Sequence, residues 1–188
     1  MEPAVERLLA DLGATPEQAS PMTVGNLASR LRSAALYFEA NATGSLVVGT
    51  GDLDETYIGY TSKGTTADLF PITGLHKDEV RALLRRGLEP LDPELAVRLS
   101  ERPASPGYWP GQKAEDEIGM SYTRLGNCLD LVTAHCEIRP TGVFPRDPEA
   151  FVADVQARGI DVEDFLAVAD RVAANYHKSF GSPALWRG

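Results

Sequence analysis

Ser45–Tyr60 reads SLVVGTGDLDETYIGY: an apolar run, a threonine between two glycines, and then Asp52, Asp54 and Glu55. The run is short, β-branched and closed by glycines, which predicts a buried strand. A strand apolar on both faces requires neighbours on both edges and helices above and below. In open α/β sheets, ligands bind beyond the carboxyl ends of the strands, and Thr50, Asp52, Asp54 and Glu55 stand at such an end. A carboxylate there either holds a hard divalent cation that bridges phosphate oxygens, or caps the helix that follows. Lys63, Asp68 and Lys77 flank the strand end in loop and helix-start positions. Thr, Glu, Lys, Asp and Lys around one strand end suit a phosphate-bearing ligand with magnesium.

Around this segment the pattern is mostly helical. Val5, Leu8, Leu9 and Leu12 have helical spacing, closed by Gly13. A longer helix is predicted from Thr23 to about Asn41, with Leu27, Leu31, Ala34 and Phe38 on its apolar face and Arg30 beside them. An arginine there either snorkels at the edge or reaches into a polar site. Further helices are predicted from about Leu75 to Arg86, stopped by Gly87, and from Ile118 to Val132. Two more open on Asp147 and Asp161, and the second runs to His177–Lys178, where cations complement the helix dipole. LDPELAVRLS (Leu91–Ser100) offers an Asp92 cap and Pro93, yet its LAVRLS is also a candidate partner for the lone strand. Glu101–Gln112, rich in proline and glycine, is a loop.

Hydrophobic residues make up 43% and charged residues 24% of the 188, a globular composition. The net charge of −9 argues against generic nucleic-acid binding, which needs basic surface. No apolar run matches a membrane span and no basic-then-apolar leader is visible, so a cytoplasmic, non-membrane protein is expected. Cys128 and Cys136, two turns or roughly 12 Å apart on a helix, read as free buried thiols.

The ordered stretches GNLASRLR (Gly25–Arg32), LVVGTGDLDETYIGYTSKGTTADLFPITGLHKDEVRALL (Leu46–Leu84), PGYWPGQKAEDEIGMSY (Pro106–Tyr122) and YHK (Tyr176–Lys178) resemble the ammonia-dependent NAD synthetases. The resemblance implies an α/β, adenine nucleotide alpha hydrolase-like fold, a Rossmann-like parallel sheet with helices. It implies a carbon–nitrogen ligase that amidates deamido-NAD with ammonia through an adenylated intermediate, using ATP and Mg2+, in a homodimer. Carried over by position, Thr50, Lys77 and Ser105 would meet ATP and Glu55 would bind magnesium. Arg30, Lys63, Asp68, His177 and Lys178 would meet deamido-NAD.

The match has departures. The loop from Gly59 to Asp68 is shorter than the family's and reads GTT where Tyr-Gly-Asp is usual, PASPGYW (Pro103–Trp109) is longer, and Ala114 replaces an Asp. The signature Ser-Gly-Gly-x-Asp-Ser, which cradles pyrophosphate, is nowhere in the sequence. Residues 1–188 are therefore expected to form a single, incomplete synthetase domain, the C-terminal two-thirds, helix-dominated because its opening strands are missing. A separate subunit bearing that signature would complete it. The alternative is a non-catalytic dinucleotide-binding or regulatory protein derived from such an enzyme.

Overall fold

The computed structural model describes residues 3–179. Two compact units divide the chain: Met1–Thr50, Ser62–Pro71 and Pro103–Asp116 form the first, and Gly51–Thr61, Ile72–Arg102 and Glu117–Gly188 the second.

In the first unit, α1 (Pro3–Asp11) buries Val5 and Leu9 and packs on α2 (Pro21–Thr43). Ser20 caps α2 by accepting the Thr23 N–H at 3.1 Å, Pro21 sits in the first turn where no donor is missed, and Gly44 closes the helix. The expected apolar face of α2 is not buried: Leu27 and Leu31 are half-buried, Ala34 is exposed and Phe38 is 75% exposed. A stripe is buried only where another element covers it, and α1 is short.

Extended chain follows α2, and Val48 forms a parallel bridge with Leu69. The Gly49 N–H donates to the Leu69 carbonyl at 2.8 Å and the Asp68 N–H to that of Val47 at 2.9 Å. Val47 is buried, whereas Leu46 and Val48 are 66% and 54% exposed. The run is thus half-buried with period two, not buried on both faces as its composition suggested.

LAVRLS is not its partner. It lies in α5 (Pro93–Ser100), opened by Asp92, whose carboxylate accepts the Leu95 N–H at 2.8 Å. Proline in the first turn and an aspartate cap both favour helix for that segment.

The second unit is built around α7 (Tyr122–His135), where Tyr122, Leu125, Cys128, Leu129, Leu131 and Val132 are almost fully buried. Against it pack α3 (Leu53–Tyr57), α4 (Lys77–Leu88), α8 (Pro148–Arg158), α9 (Val162–Ala174) and the antiparallel hairpin β1 (Cys136–Arg139) and β2 (Gly142–Pro145). α4 and α5 pack on each other, and α4 runs through Gly87 to Leu88 instead of stopping there.

Two predicted helices are broken. The one expected from Ile118 is split between α6 (Ala114–Ile118) and α7 by Gly119, whose φ of 87° no right-handed helix continues. Ser121 restarts it by accepting the Arg124 N–H at 3.3 Å. The last helix ends at Ala174, and α10 (Tyr176–Ser179) follows as a separate turn that packs on α3 and α9. The hairpin pairs Cys136 with Pro145 and Arg139 with Gly142 and was not anticipated. Cys128 and Cys136 are both buried and unbonded. No helix among the described residues is long and apolar enough to cross a membrane.

Candidate functional site

The acids of Gly51–Tyr60 do several jobs at once in the second unit. Asp52 caps α3, with Oδ1 accepting the Glu55 N–H at 2.9 Å. Its Oδ2 lies 2.5 Å from the Lys77 ammonium, which also donates to Glu55 Oε1 at 2.8 Å. Capping and ion pairing, alternatives in the sequence, are both present. The Tyr122 hydroxyl donates to the same Glu55 oxygen at 3.4 Å, and Lys77 Nζ lies 5.2 Å from the centre of the Tyr122 ring. Asp52 is wholly buried, and the side chains of Lys77 and Glu55 are 16% and 23% exposed. At such depth, removing either sign leaves an uncompensated charge.

Asp54 is also wholly buried. Its Oδ2 accepts the Lys77 backbone N–H at 2.7 Å and its Oδ1 lies 2.6 Å from His76 Nδ1. The other ring nitrogen of His76 is 3.1 Å from Asp130 Oδ1 on α7. Three carboxylates of one short segment thus converge on two residues at the start of α4.

Electrostatics follow from that crowding. Burial pushes the Asp54 and Glu55 carboxyls up, and for Glu55 the Asp52 charge adds to it. Burial alone would lower Lys77, but the Glu55 charge and the Asp52 contact outweigh it and hold the ammonium above its ordinary range. His76 behaves alike, with Asp54 and Asp130 overcoming desolvation to raise it. Four carboxylates, those of Asp52, Asp54, Glu55 and Asp130, thus face one ammonium and one imidazole.

Elsewhere in this unit, the Tyr60 hydroxyl donates to Glu117 at 2.9 Å, and Lys178 Nζ donates to the Gly59 carbonyl at 3.2 Å. His177 is half-buried beside it in α10. Among the described residues, no group of three or more His, Cys, Asp or Glu forms a metal cage.

In the first unit, Arg30 is exposed, and its Nε donates to the Lys63 carbonyl at 2.8 Å, fixing the loop that carries Lys63. The Asp68 carboxylate accepts the Val47 N–H at 2.7 Å beside the parallel bridge. Thr50 is exposed at the end of that segment. Ser105 is exposed as well, and its hydroxyl accepts the Gly107 N–H at 3.0 Å. Buried Ser62 hydrogen-bonds Asn26 and the Tyr108 hydroxyl, the latter at 2.8 Å.

Arg30 and Lys63 are therefore joined, and so are Glu55 and Lys77. Sequence reasoning missed the parts played by His76, Tyr122, Asn26, Ser62 and Tyr108. Tyr122 lies within a predicted helix and a resembling motif that give it no role, and Asp54 reads in the sequence as a cation ligand or a helix cap, not as a partner of His76.

A protein-family model described as NAD synthase matches residues 2–178. The chain belongs to the NAD synthase family. The NH3-dependent NAD(+) synthetase of Hyperthermus butylicus is 35% identical over 187 residues, covering 98% of this chain and 60% of that protein. The NH3-dependent NAD(+) synthetase of Methanosarcina acetivorans is 35% identical over 169 residues, covering 89% and 59%. The chain thus spans about 60% of the length of these relatives. Among solved structures, the NMN synthetase of Francisella tularensis superposes with a TM-score of 0.58 at 26% identity, over 87% of this chain and 60% of that one. The NH3-dependent NAD synthetase of Campylobacter jejuni gives 0.60 at 21% identity over 96% and 69%, a likeness of fold alone. The α/β, adenine nucleotide alpha hydrolase-like fold expected from the sequence is the fold of these neighbours.

Proposed function

We propose that this chain takes part in the ATP-dependent amidation of deamido-NAD to NAD with ammonia. The observation that carries this reading is the Lys77 ammonium held 2.5 Å from Asp52 and 2.8 Å from Glu55 in a cluster at the head of α4. A triphosphate and its counter-ion would exchange partners with that cluster, the ammonium turning to phosphate and Glu55 to the metal. Similarity to ammonia-dependent synthetases along almost the whole chain supports the substrate assignment.

In the reaction, a carboxylate oxygen of deamido-NAD attacks the α-phosphorus of ATP, and the bond to pyrophosphate breaks. The nitrogen lone pair of ammonia then attacks the acyl carbon, the bond to AMP breaks, and a proton is released. Lys77 would offset negative charge that builds on the phosphates as the bridging bond breaks. Thr50 and Ser105 would also bind ATP. Arg30, Lys63, Asp68, His177 and Lys178 would bind deamido-NAD. Magnesium carried in with phosphates needs only one or two protein carboxylates, and Glu55 fits because Lys77 and Tyr122 both engage one oxygen, Oε1. When bound, that ion neutralises phosphate charge.

The same reading includes a homodimer, a subunit that carries Ser-Gly-Gly-x-Asp-Ser, and a cytoplasmic setting. Exposed Leu46, Val48, Leu69 and Phe70 around the parallel bridge support a further element covering that apolar face.

The deciding experiment supplies the purified chain with ATP, magnesium, deamido-NAD and ammonium, and reads NAD with a coupled dehydrogenase. It is repeated with the uncovered part of the Hyperthermus butylicus synthetase added. NAD formation under either condition is expected, and Glu55→Ala should weaken MgATP binding while the far-ultraviolet spectrum stays unchanged. No NAD under both conditions, or equal MgATP affinity in Glu55→Ala, overturns the respective assignment.

A further inference from the structure

His76 has no part in the chemistry proposed above, yet its ring joins carboxylates of two different helices. It is the residue before α4, with φ −66° and ψ 154°, and its backbone N–H donates to Glu79 at 2.8 Å. Its ring spans from Asp54 of α3 at 2.6 Å to Asp130 of α7 at 3.1 Å. The ring reaches both because α7 carries Gly126 beneath it, where an added Cβ would come within 3.2 Å of Nδ1. Asp130 is in turn 3.7 Å from the Arg158 guanidinium on α8.

Asp54 gives the bridge its purpose. It is wholly buried, and its partners are the His76 ring and the backbone N–H of Lys77. The carboxylate therefore grips both residues at the head of α4, while its neighbours Asp52 and Glu55 grip the Lys77 ammonium. Lys77 is the first residue of α4, so anchoring that turn sets where its side chain starts.

We propose that His76 is a positioning residue: by bridging Asp54 and Asp130 it fixes the head of α4 and so holds the Lys77 ammonium over Asp52 and Glu55. That Lys77 then serves a nucleotide rests on the function proposed above; the positioning does not.

The test uses 15N-labelled full chain, with relaxation of Lys77 Nζ and MgATP titration on the same samples. His76→Ala removes the bridge. Asp130→Asn trims it from a side chain that is 47% exposed and keeps its size. Glu79→Ala loosens the first turn of α4 and leaves the bridge in place. Lys77 Nζ is expected to be ordered in the unchanged chain and in Glu79→Ala. In His76→Ala it should become as mobile as exposed Lys113, with MgATP binding weakened about tenfold, the loss expected for a charge-assisted hydrogen bond. Asp130→Asn should show a smaller shift in the same direction.

An ordered Nζ in folded His76→Ala overturns the proposal, as does equal mobility in Glu79→Ala. Should His76→Ala not fold, an unchanged Nζ in Asp130→Asn overturns it. If the variants free Nζ but the unchanged chain binds no MgATP, the positioning stands and the nucleotide reading falls.

Discussion

Replacing Lys77 with methionine isolates the central ion cluster. The substitution keeps most of the side-chain volume and the backbone N–H that Asp54 accepts. It deletes the charge that faces wholly buried Asp52 and largely buried Glu55. Breaking a buried pair from one side costs about 3–5 kcal/mol. Glu55 keeps some water and is already displaced toward protonation, so the low end, about 3 kcal/mol, is expected. With a urea slope of about 2 kcal/mol per molar, the unfolding midpoint followed by circular dichroism at pH 7.5 should fall by about 1.5 M. The deficit should shrink as the pH is lowered, because protonated carboxyls no longer need the ammonium. The triple variant Asp52→Asn, Glu55→Gln, Lys77→Met should recover most of the loss, with Asn still able to cap α3. A midpoint unchanged at pH 7.5, or a triple variant no better than Lys77→Met, refutes the claim that this ammonium neutralises buried carboxylates.

Leu129→Ala, at a fully buried position of α7, should cost about 2–5 kcal/mol in the same urea assay, and a loss below about 1 kcal/mol would mean that the site collapses around the cavity. The folded-state pKa values of His76, Asp54 and Glu55 are all raised, so across these windows the folded chain binds more protons than the unfolded one and stability falls as pH rises. For His76 the contribution is complete below its ordinary value of 6.5 and is lost as pH climbs through the raised one. Melting temperature should therefore decline from pH 6.5 to 8.5, more steeply than in His76→Asn; parallel profiles would place the proton elsewhere.

What depends on near neighbours was legible in the order of residues. Asp92 with Pro93, Asp147 with Pro148, and Asp161 open helices where their spacing said they would, and Gly159 closes α8 in a left-handed cap. Each of these signals acts within one turn, through a side chain that meets a backbone group three or so residues away. The motif order was also enough to place the chain in its family. Glu55 and Lys77 could be named from that order, though not the short contact between them.

Whatever depends on what lies across from a residue emerged only on folding. Val47 and Val48 have the same side chain, yet one is buried and the other is 54% exposed, because the extended backbone sends them to opposite faces and only one face is covered. The stripe on α2 looked like a core face and stayed partly open for want of a cover. Asp54, His76 and Asp130 carry no mutual spacing that a helix or strand would put together, and the chain must fold α3, α4 and α7 against one another before the imidazole can span them. Burial then raises the Asp54 carboxyl, and the Asp54 and Asp130 contacts raise His76 against its own desolvation, effects that no local pattern encodes.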